Sequence, residues 1–591
     1  MVACLSKSIK GGGLQKPDTL VLLLLVAWWV VNLVQSAVTG LANDEAYYWY
    51  FSQHLDWGYF DHPPLVALLV RLSSWIPGAL GIRFCATLLQ PLYLWLFWCL
   101  IRPSDATRGD ALLYLLLCFS QPLLQLYGFM ALPDAPLMFS AVLFWWSFKH
   151  FVERDSWPYT LLLGLAVALL GYSKYHGVLV VAFAVLACPK VLLRPKFYAS
   201  MALTLLLFLP HLWWQYEHDW VSLRYHLMGR NAWGYKFSFT TEYLLLLLTI
   251  FNPLWLYHYG KGMVQGRRLE VPMRSEWLWT IGGFVLFFLV ATRHGHVQPQ
   301  WLLPIVLPLT ALLFYAVRSS RYARIVGWVC MGLFLLVRIV AVANPFGLKG
   351  ELWNQRQVYT QIAEMAGDRP VQFMQNYTAP AKYTYYTGRE AYCCPYFFSR
   401  DSQWQFDTAD RAYHGREVVV GNLNNNNQRH QLDLADGHTF HYTIVPNYQP
   451  LRELRVQSVE PLAMELPYLY RSDTLDVADS LPPVKLTLRI CNPYAFDICP
   501  DSLNPLRVTF FMHTTQYEAS GFSTPLVDTL RAHDTTYLTI SLPPISDLPD
   551  GTHAAGFSIG YRAFSSASNS RPFNVEVRNR RGEKLSIRQV N

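Results

Sequence analysis

The chain has 591 residues, is 52% apolar and carries a formal charge of +8. Apolar runs of about 20 residues, the length a bilayer core demands, recur as far as Pro345 and exclude a wholly soluble protein. The basic residues sort by loop rather than into one patch, so membrane orientation accounts for the charge and no nucleic-acid partner is implied.

About eleven transmembrane helices are expected by apolar length, over roughly 19–39, 79–101, 111–130, 134–152, 158–173, 175–193, 197–216, 240–259, 276–292, 299–317 and 323–344. The first run is long and lacks a small-residue cleavage site, so it reads as a retained helix rather than a signal peptide. Lys and Arg concentrate in alternate connections. These hold Lys7, Lys10 and Lys16; Arg102 and Arg108; Lys149 and Arg154; Lys190, Arg194 and Lys196; Lys261, Arg267, Arg268 and Arg274; and Arg318, Arg321 and Arg324. The positive-inside rule makes this set, and the N-terminus, cytoplasmic. An odd number of spans then places everything after Pro345 on the far side, which is periplasmic for an inner-membrane protein of a bacterium.

Three regions are expected: a transmembrane domain over 1–345, a soluble mixed α/β segment over 346–450 and a β-sandwich-like domain over 451–591. Glu351 to Ala366 patterns as a helix, while Val371 to Met374 and Glu417 to Val420 pattern as strands. Asn424 to Asn427 reads as a loop tip. From Leu451 onward the apolar alternation is that of strands, over Lys485–Ile490, Leu506–Met512, Thr536–Leu542, Phe573–Val577 and Leu585–Ile587. Cys491 and Cys499 flank a turn-like segment and can pair in an oxidising compartment, and no zinc-ribbon spacing is present.

The far-side loops hold the unusual residues. The first carries Asn43-Asp44-Glu45-Ala46-Tyr47-Tyr48 directly after the first apolar run, then Tyr59-Phe60-Asp61-His62-Pro63-Pro64. Its aromatic content implies short helices lying in the interface. Later far-side turns carry Pro133-Asp134-Ala135-Pro136, Lys174-Tyr175-His176, the segment with Arg224, His226, Arg230 and Asn231, and Arg293-His294. Carboxylates where a helix leaves the lipid are costly enough to imply function. Asp44, with Glu45 beside it, suits a general base, because a neighbouring negative charge raises a carboxyl pKa. The plain alternative is a capping or topology-marking acidic pair. Asp134 is the second acidic candidate, and an N-cap role competes with it. His62, Arg83, Lys174, His176, Arg224, His226 and Arg293 lie on the same side and can neutralise a phosphate. Arg338, inside the last span, either snorkels or faces a cavity. Asp44 and Asp134 leave room for a divalent cation, although no spacing demands one.

Taken in order, these pieces resemble the GT-C fold of glycosyltransferase family 39, which includes protein O-mannosyltransferases and lipid A aminoarabinose transferases. The resemblance rests on the Asp44-Glu45 loop, the Tyr59-Phe60-Asp61-His62-Pro63 motif, Gly81-Ile82-Arg83 at a helix start and the Asp134 turn, and covers residues 19 to 345. His62 stands where the aminoarabinose transferases carry a lysine, which departs from that subgroup. The inserted repeats of eukaryotic protein mannosyltransferases are missing, so the resemblance points to a bacterial member. It implies inverting transfer of one sugar from a polyprenyl-phosphate donor to a lipid, glycan or protein acceptor. Asp44 is then the catalytic carboxylate, Glu45 its partner and Asp134 a second acid. A polymerase or ligase of diphosphate-linked glycans, and a non-catalytic transporter or scaffold, are the alternatives.

Overall fold

The structure is a computed structural model. It describes residues 16–591 except 230–234, 266–269, 375, 395–400, 423–429, 467–483, 503–504, 514–519, 543–549, 562–568, 572, 579–584 and 591. Arg230, Asn231, Arg267, Arg268, the 424–427 run and the first lysines of the chain lie outside the described residues. Two compact units are present, Met1–Trp353 and Asn354–Asn591.

The first unit is helical: α1 (Lys16–Val38), α2 (Asn43–Gln53), α3 (Leu65–Leu72), α4 (Gly78–Ile101), α5 (Arg108–Phe119), α6 (Pro122–Leu126), α7 (Asp134–Arg154) and α8 (Trp157–Ser173). There follow α9 (Val178–Ala187), α10 (Pro195–Glu217), α11 (Val221–Arg224), α12 (Phe237–Ile250), α13 (Leu256–Gln265), α14 (Arg274–Ala291), α15 (Leu303–Val317) and α16 (Arg321–Ala343). α1 packs on α4, α4 on α7, α7 on α8 and α8 on α10, while α9 packs on α14 and α13 on α15. One continuous apolar core runs through these contacts.

Six of the described helical segments are long and apolar enough to cross a membrane, and a seventh span arises if a bent pair is counted as one. This does not confirm the expected eleven, and several of the expected spans are broken or short. The expected span 111–130 breaks at Ser120-Gln121, where Pro122 opens a new helix. The expected span 240–259 bends by 68° at Phe251-Asn252. The two breaks meet. Asn252 Nδ2 donates to Ser120 O at 2.9 Å, Trp255 Nε1 to Ser120 Oγ at 2.9 Å, and Tyr259 OH to Gln121 Oε1 at 3.0 Å. The Ser120 carbonyl at the first break thus finds a partner inside the bundle, as a low-dielectric setting requires. α8 and α9 are short, and α7 carries Asp134, Lys149, Glu153 and Arg154.

The second unit starts with α17 (Gln355–Ala366) and α18 (Ala379–Thr387) against a five-stranded sheet. Its strands are β1 (Val371–Met374), β2 (Ala391–Cys394), β3 (Val418–Asn422), β4 (His430–Asp433) and β5 (Thr439–Val445), in the order β2-β1-β3-β5-β4. β1 runs parallel to β2 and β3; β5 is antiparallel to β3 and β4. Val358, Ile362, Phe373, Tyr383 and Phe440 fill the space between helices and sheet. The later strands are β6 (Arg455–Ser458), β7 (Ala463–Leu466), β8 (Val484–Cys491), β9 (Leu506–His513), β10 (Ser520–Pro525), β11 (Thr535–Leu542), β12 (Gly551–Tyr561), β13 (Phe573–Arg578) and β14 (Leu585–Val590). They form a six-stranded sheet, β10-β9-β12-β13-β14-β7, and a three-stranded sheet, β11-β8-β6. Alternation misses β6, β7 and β10, which are short, and β12, which is not. Small residues (Gly551, Ala554, Ala555, Gly556, Gly560) interrupt its pattern, and seven consecutive residues at its end are buried, so no polar face marks it. Cys491 and Cys499 are free thiols here.

Candidate active site

α1 ends at Val38 and the chain turns into α2, whose first turn holds Asp44 and Glu45. The two neighbours have opposite fates. Glu45 is fully buried. Its Oε1 accepts from Arg83 Nε at 2.7 Å and Ala131 N at 2.9 Å; its Oε2 accepts from Arg83 Nη2 at 2.5 Å and Ala42 N at 3.1 Å. Asp44 faces solvent.

Arg83, on the first turns of α4, is also fully buried. Besides Glu45, it donates from Nη1 to Ser36 O (3.0 Å) and Thr39 O (2.8 Å), and from Nη2 to Gly40 O (2.7 Å). A helix end leaves its last carbonyls without intrahelical donors. Arg83 fills that need for α1, and its positive charge suits the negative end of the helix dipole. All five guanidinium N–H groups are used. None remains for a phosphate, so the expectation that Arg83 binds the donor phosphate is corrected: it braces the loop from which Asp44 projects. Glu45 is likewise a brace in this geometry, with both oxygens saturated.

Asp134 and Lys174 form a second buried pair. Asp134 opens α7 and is preceded by Pro133, which makes no side-chain cap. Lys174 follows the last residue of α8, and its Nζ lies 2.9 and 3.0 Å from the two Asp134 oxygens. Side-chain exposure is 10% for Lys174 and 3% for Asp134. The amine has three donors, and these two contacts account for two of them. Asp134 and Asp44 both act electrostatically on the phenol of Tyr127, a half-buried residue in the loop leading to α7. Sequence reasoning missed Tyr127; its place between two acidic turns is its only signal.

The Asp61-His62 motif builds a third group. Asp61 is 2% exposed, and its Oδ1 lies 3.2 Å from His62 Nδ1; His62 Nε2 lies 3.3 Å from Tyr48 OH. His226 Nε2 donates to Asp61 O at 2.9 Å, which brings the 215–229 segment onto this loop. Gln215 joins it by donating to Ser222 Oγ (2.7 Å) and Tyr175 OH (3.0 Å), and Ser222 Oγ donates to Tyr59 O (2.8 Å). His211 Nδ1 donates to Trp57 O at 2.7 Å, which leaves Nε2 to accept from Tyr175 OH at 3.2 Å. Burial raises the Tyr59 phenol far above its usual range. Asp61, Tyr48, Tyr175, His211 and Gln215 were not among the expected site residues.

The remaining basic candidates are more scattered. His176 is half-buried with its ring 6.1 Å from that of Phe288, while Arg224 and Arg293 are exposed at the ends of α11 and α14. Arg338 neither snorkels nor opens to solvent. It is buried against Asn32 Oδ1 (2.8 Å), Gln125 O (2.5 Å) and the rings of Trp28 and Phe129. Among the described residues no cluster of three or more His, Cys, Asp or Glu has the geometry to hold a metal ion.

Residues 61–214 match the family model for dolichyl-phosphate-mannose-protein mannosyltransferases. The lipid A galacturonosyltransferase RgtD of Rhizobium johnstonii is 27% identical over 279 residues, which is 44% of this chain and 57% of that protein; the match spans a little over half of the relative's length. The crystal structure of apo ArnT from Cupriavidus metallidurans is similar in fold, with a TM-score of 0.55 at 12% identity over 71% of this chain and 97% of that one. Its undecaprenyl-phosphate-bound form gives 0.51, over 72% and 99%. The chain has helices long and apolar enough to cross a membrane, is similar over part of its length to membrane glycosyltransferases, and is similar in fold to ArnT.

Proposed function

We propose that this protein is an inverting glycosyltransferase. It moves a single sugar from a polyprenyl-phosphate donor to a lipid, glycan or protein acceptor on the periplasmic side of a bacterial inner membrane. The observation that carries the reading is the split between neighbours: Glu45 is locked by Arg83 and backbone amides, and Asp44, one residue away, is held at the head of a rigid helix facing solvent. A general base needs that combination of fixed position and access.

In this reading Asp44 takes a proton from the acceptor, whose oxygen or nitrogen attacks the anomeric carbon from the face opposite the phosphate. The carbon–oxygen bond to phosphate breaks, and polyprenyl phosphate leaves. Lys174 holds Asp134 and offers its third N–H to the phosphate; His62, His176, His226, Arg224 and Arg293 supply further positive or hydrogen-bonding groups. ArnT binding undecaprenyl phosphate supports such a lipid carrier. The eleven-span topology, with the N-terminus cytoplasmic, remains part of the proposal. Exposed aromatics fit the placement of the spans between two interfaces. Trp57, Trp75, Trp213, Tyr216 and Trp220 flank the acidic-loop side, and Trp157, Tyr198, Trp279 and Tyr322 flank the Lys/Arg-rich side, as two interfacial belts would.

The test is release of polyprenyl phosphate from a panel of polyprenyl-phosphate sugars by purified protein. Wild type is expected to turn over one donor. Asp44→Asn, equally folded, is expected to lose turnover by about 10²–10⁴-fold. Full activity in that variant would overturn the assignment of Asp44.

A further inference from the structure

α16 ends at Ala343, and the chain then folds back on the helix end. The usual donor to the Ala341 carbonyl would be residue 345, which is a proline and has no N–H. Trp353 Nε1 takes its place, at 2.8 Å. Between the two, Asn344 sits at a φ of +45° and bonds both ways with Leu348. Its Oδ1 accepts from Leu348 N (2.6 Å) and its Nδ2 donates to Leu348 O (3.0 Å). Residues 344–353 therefore form a closed strap after the last helix, and all belong to the first compact unit. The sequence pattern puts Glu351 in the following helix; it lies in the strap instead, ahead of α17.

The strap lies on the turn between α1 and α2. Glu351 Oε2 accepts from Asn43 N at 2.8 Å. Leu352 packs with Ala42, Phe129 and Met130. Gly40 passes so close beneath it that a Cβ there would overlap the Leu352 carbonyl oxygen. A helix start leaves its first N–H groups without intrahelical acceptors. In α2, Ala42 N is taken by Glu45 Oε2 (3.1 Å) and Asn43 N by Glu351. Negative charge suits that end of a helix. The two carboxylates differ in what holds them: Glu45 is buried and fixed by Arg83, whereas Glu351 is exposed and held on the strap. Asp44 stands between the two anchored residues, Asn43 and Glu45.

An exposed carboxylate bonded to one backbone amide adds little to stability beside the buried Glu45–Arg83 pair. It does fix where the helix start sits, and a misplacement of about 1 Å can lower a rate by about 10²-fold. We propose that Glu351 is a positioning residue: through Asn43 N it sets the pose of Asp44, and so ties the carboxylate to the strap after the last helix. It has this role only if Asp44 is the base, as proposed above.

The experiment measures kcat and donor KM by release of polyprenyl phosphate, together with amide exchange of the α2 peptide, on full-length protein in detergent. Glu351→Ala is expected to lower kcat about tenfold, to keep the donor KM within about twofold, to leave the melting temperature unchanged and to speed exchange at the start of α2. Glu351→Gln keeps an oxygen that accepts from Asn43 N, and is expected to return kcat to within about threefold of wild type. Trp353→Phe removes the tie to Ala341 without touching the acidic loop, and is expected to lower kcat in the same sense but by less. Unchanged kcat in Glu351→Ala beside an inactive Asp44→Asn would overturn the role of Glu351 and leave that of Asp44 standing. Equal loss in the Ala and Gln variants would make charge rather than position the working feature, and a kcat that merely follows melting temperature would make the contact structural; either result overturns the proposal. Full turnover by Asp44→Asn, or none by wild type, would remove the base itself and the positioning role with it, whatever exchange shows at α2.

Discussion

The two buried ion pairs of the membrane unit look alike in a list of contacts and differ in capacity. Around Glu45 and Arg83, both carboxylate oxygens and all five guanidinium hydrogens are spent, and neither side chain is exposed. Around Asp134 and Lys174, the amine meets two oxygens and the pair keeps some access to solvent. A saturated pair has nothing left for a substrate and works as architecture. A pair with spare donors can rearrange around an incoming anion. The same contrast separates Glu45 from Asp44 within a single helical turn.

The largest effect is expected from breaking the saturated pair. Arg83→Met leaves Glu45 charged in the bundle and strips the α1 carbonyls of their donors, so it should cost about 3–5 kcal/mol. Thermal unfolding in detergent checks this. Adding Glu45→Gln should recover part of the loss, because the stranded charge is then gone. A single Arg83→Met variant that melts like wild type would show that the brace is dispensable.

The second pair should respond through substrate rather than through folding. Lys174→Met is expected to raise the KM for the polyprenyl-phosphate donor by about tenfold or more while shifting the melting temperature less than Arg83→Met does. A variant that loses stability as Arg83→Met does, with donor KM unchanged, would make the two pairs equivalent and end the comparison.

Much of this architecture was legible in the chain. The acidic loop, the Asp61-His62-Pro63-Pro64 motif and the turn with Lys174 all supply residues to the buried polar groups of the first unit, and five strands after Leu451 follow apolar alternation. The division of labour was not legible. Arg83 looks like a phosphate ligand because its charge and its expected side of the membrane suit one. Its partners are the carbonyls of Ser36, Thr39 and Gly40, which any residue would supply and no side chain announces. The breaks at Pro122 and Asn252 inside apolar runs were not legible either. Hydropathy does not register a break such as the one at Ser120, whose carbonyl is satisfied by the Asn252 side chain.

A third arrangement, in the second unit, places opposite charges close but not bonded. Asp410 is 1% exposed, and its nearest Arg452 contact is 3.9 Å. Burial outweighs Arg452, and with Glu453 and Asp407 nearby the carboxyl is raised from 3.8 to about 6. Because the folded state holds this proton more tightly than the unfolded chain, the group's contribution to stability is complete below about pH 4 and is lost as pH rises to about 6. The loss amounts to about 3 kcal/mol at neutral pH. Glu453, whose carboxyl is lowered by Arg411 and Arg452 against the effect of burial, changes stability in the opposite sense over the acid range, so the absolute profile is a composite. The difference between wild type and Asp410→Asn isolates the one group. Relative to the variant, wild type should lose stability between pH 4 and 6 and then run parallel to it. Profiles that stay parallel throughout would mean that Arg452, like Arg83 for Glu45, closes on its carboxylate and holds it charged.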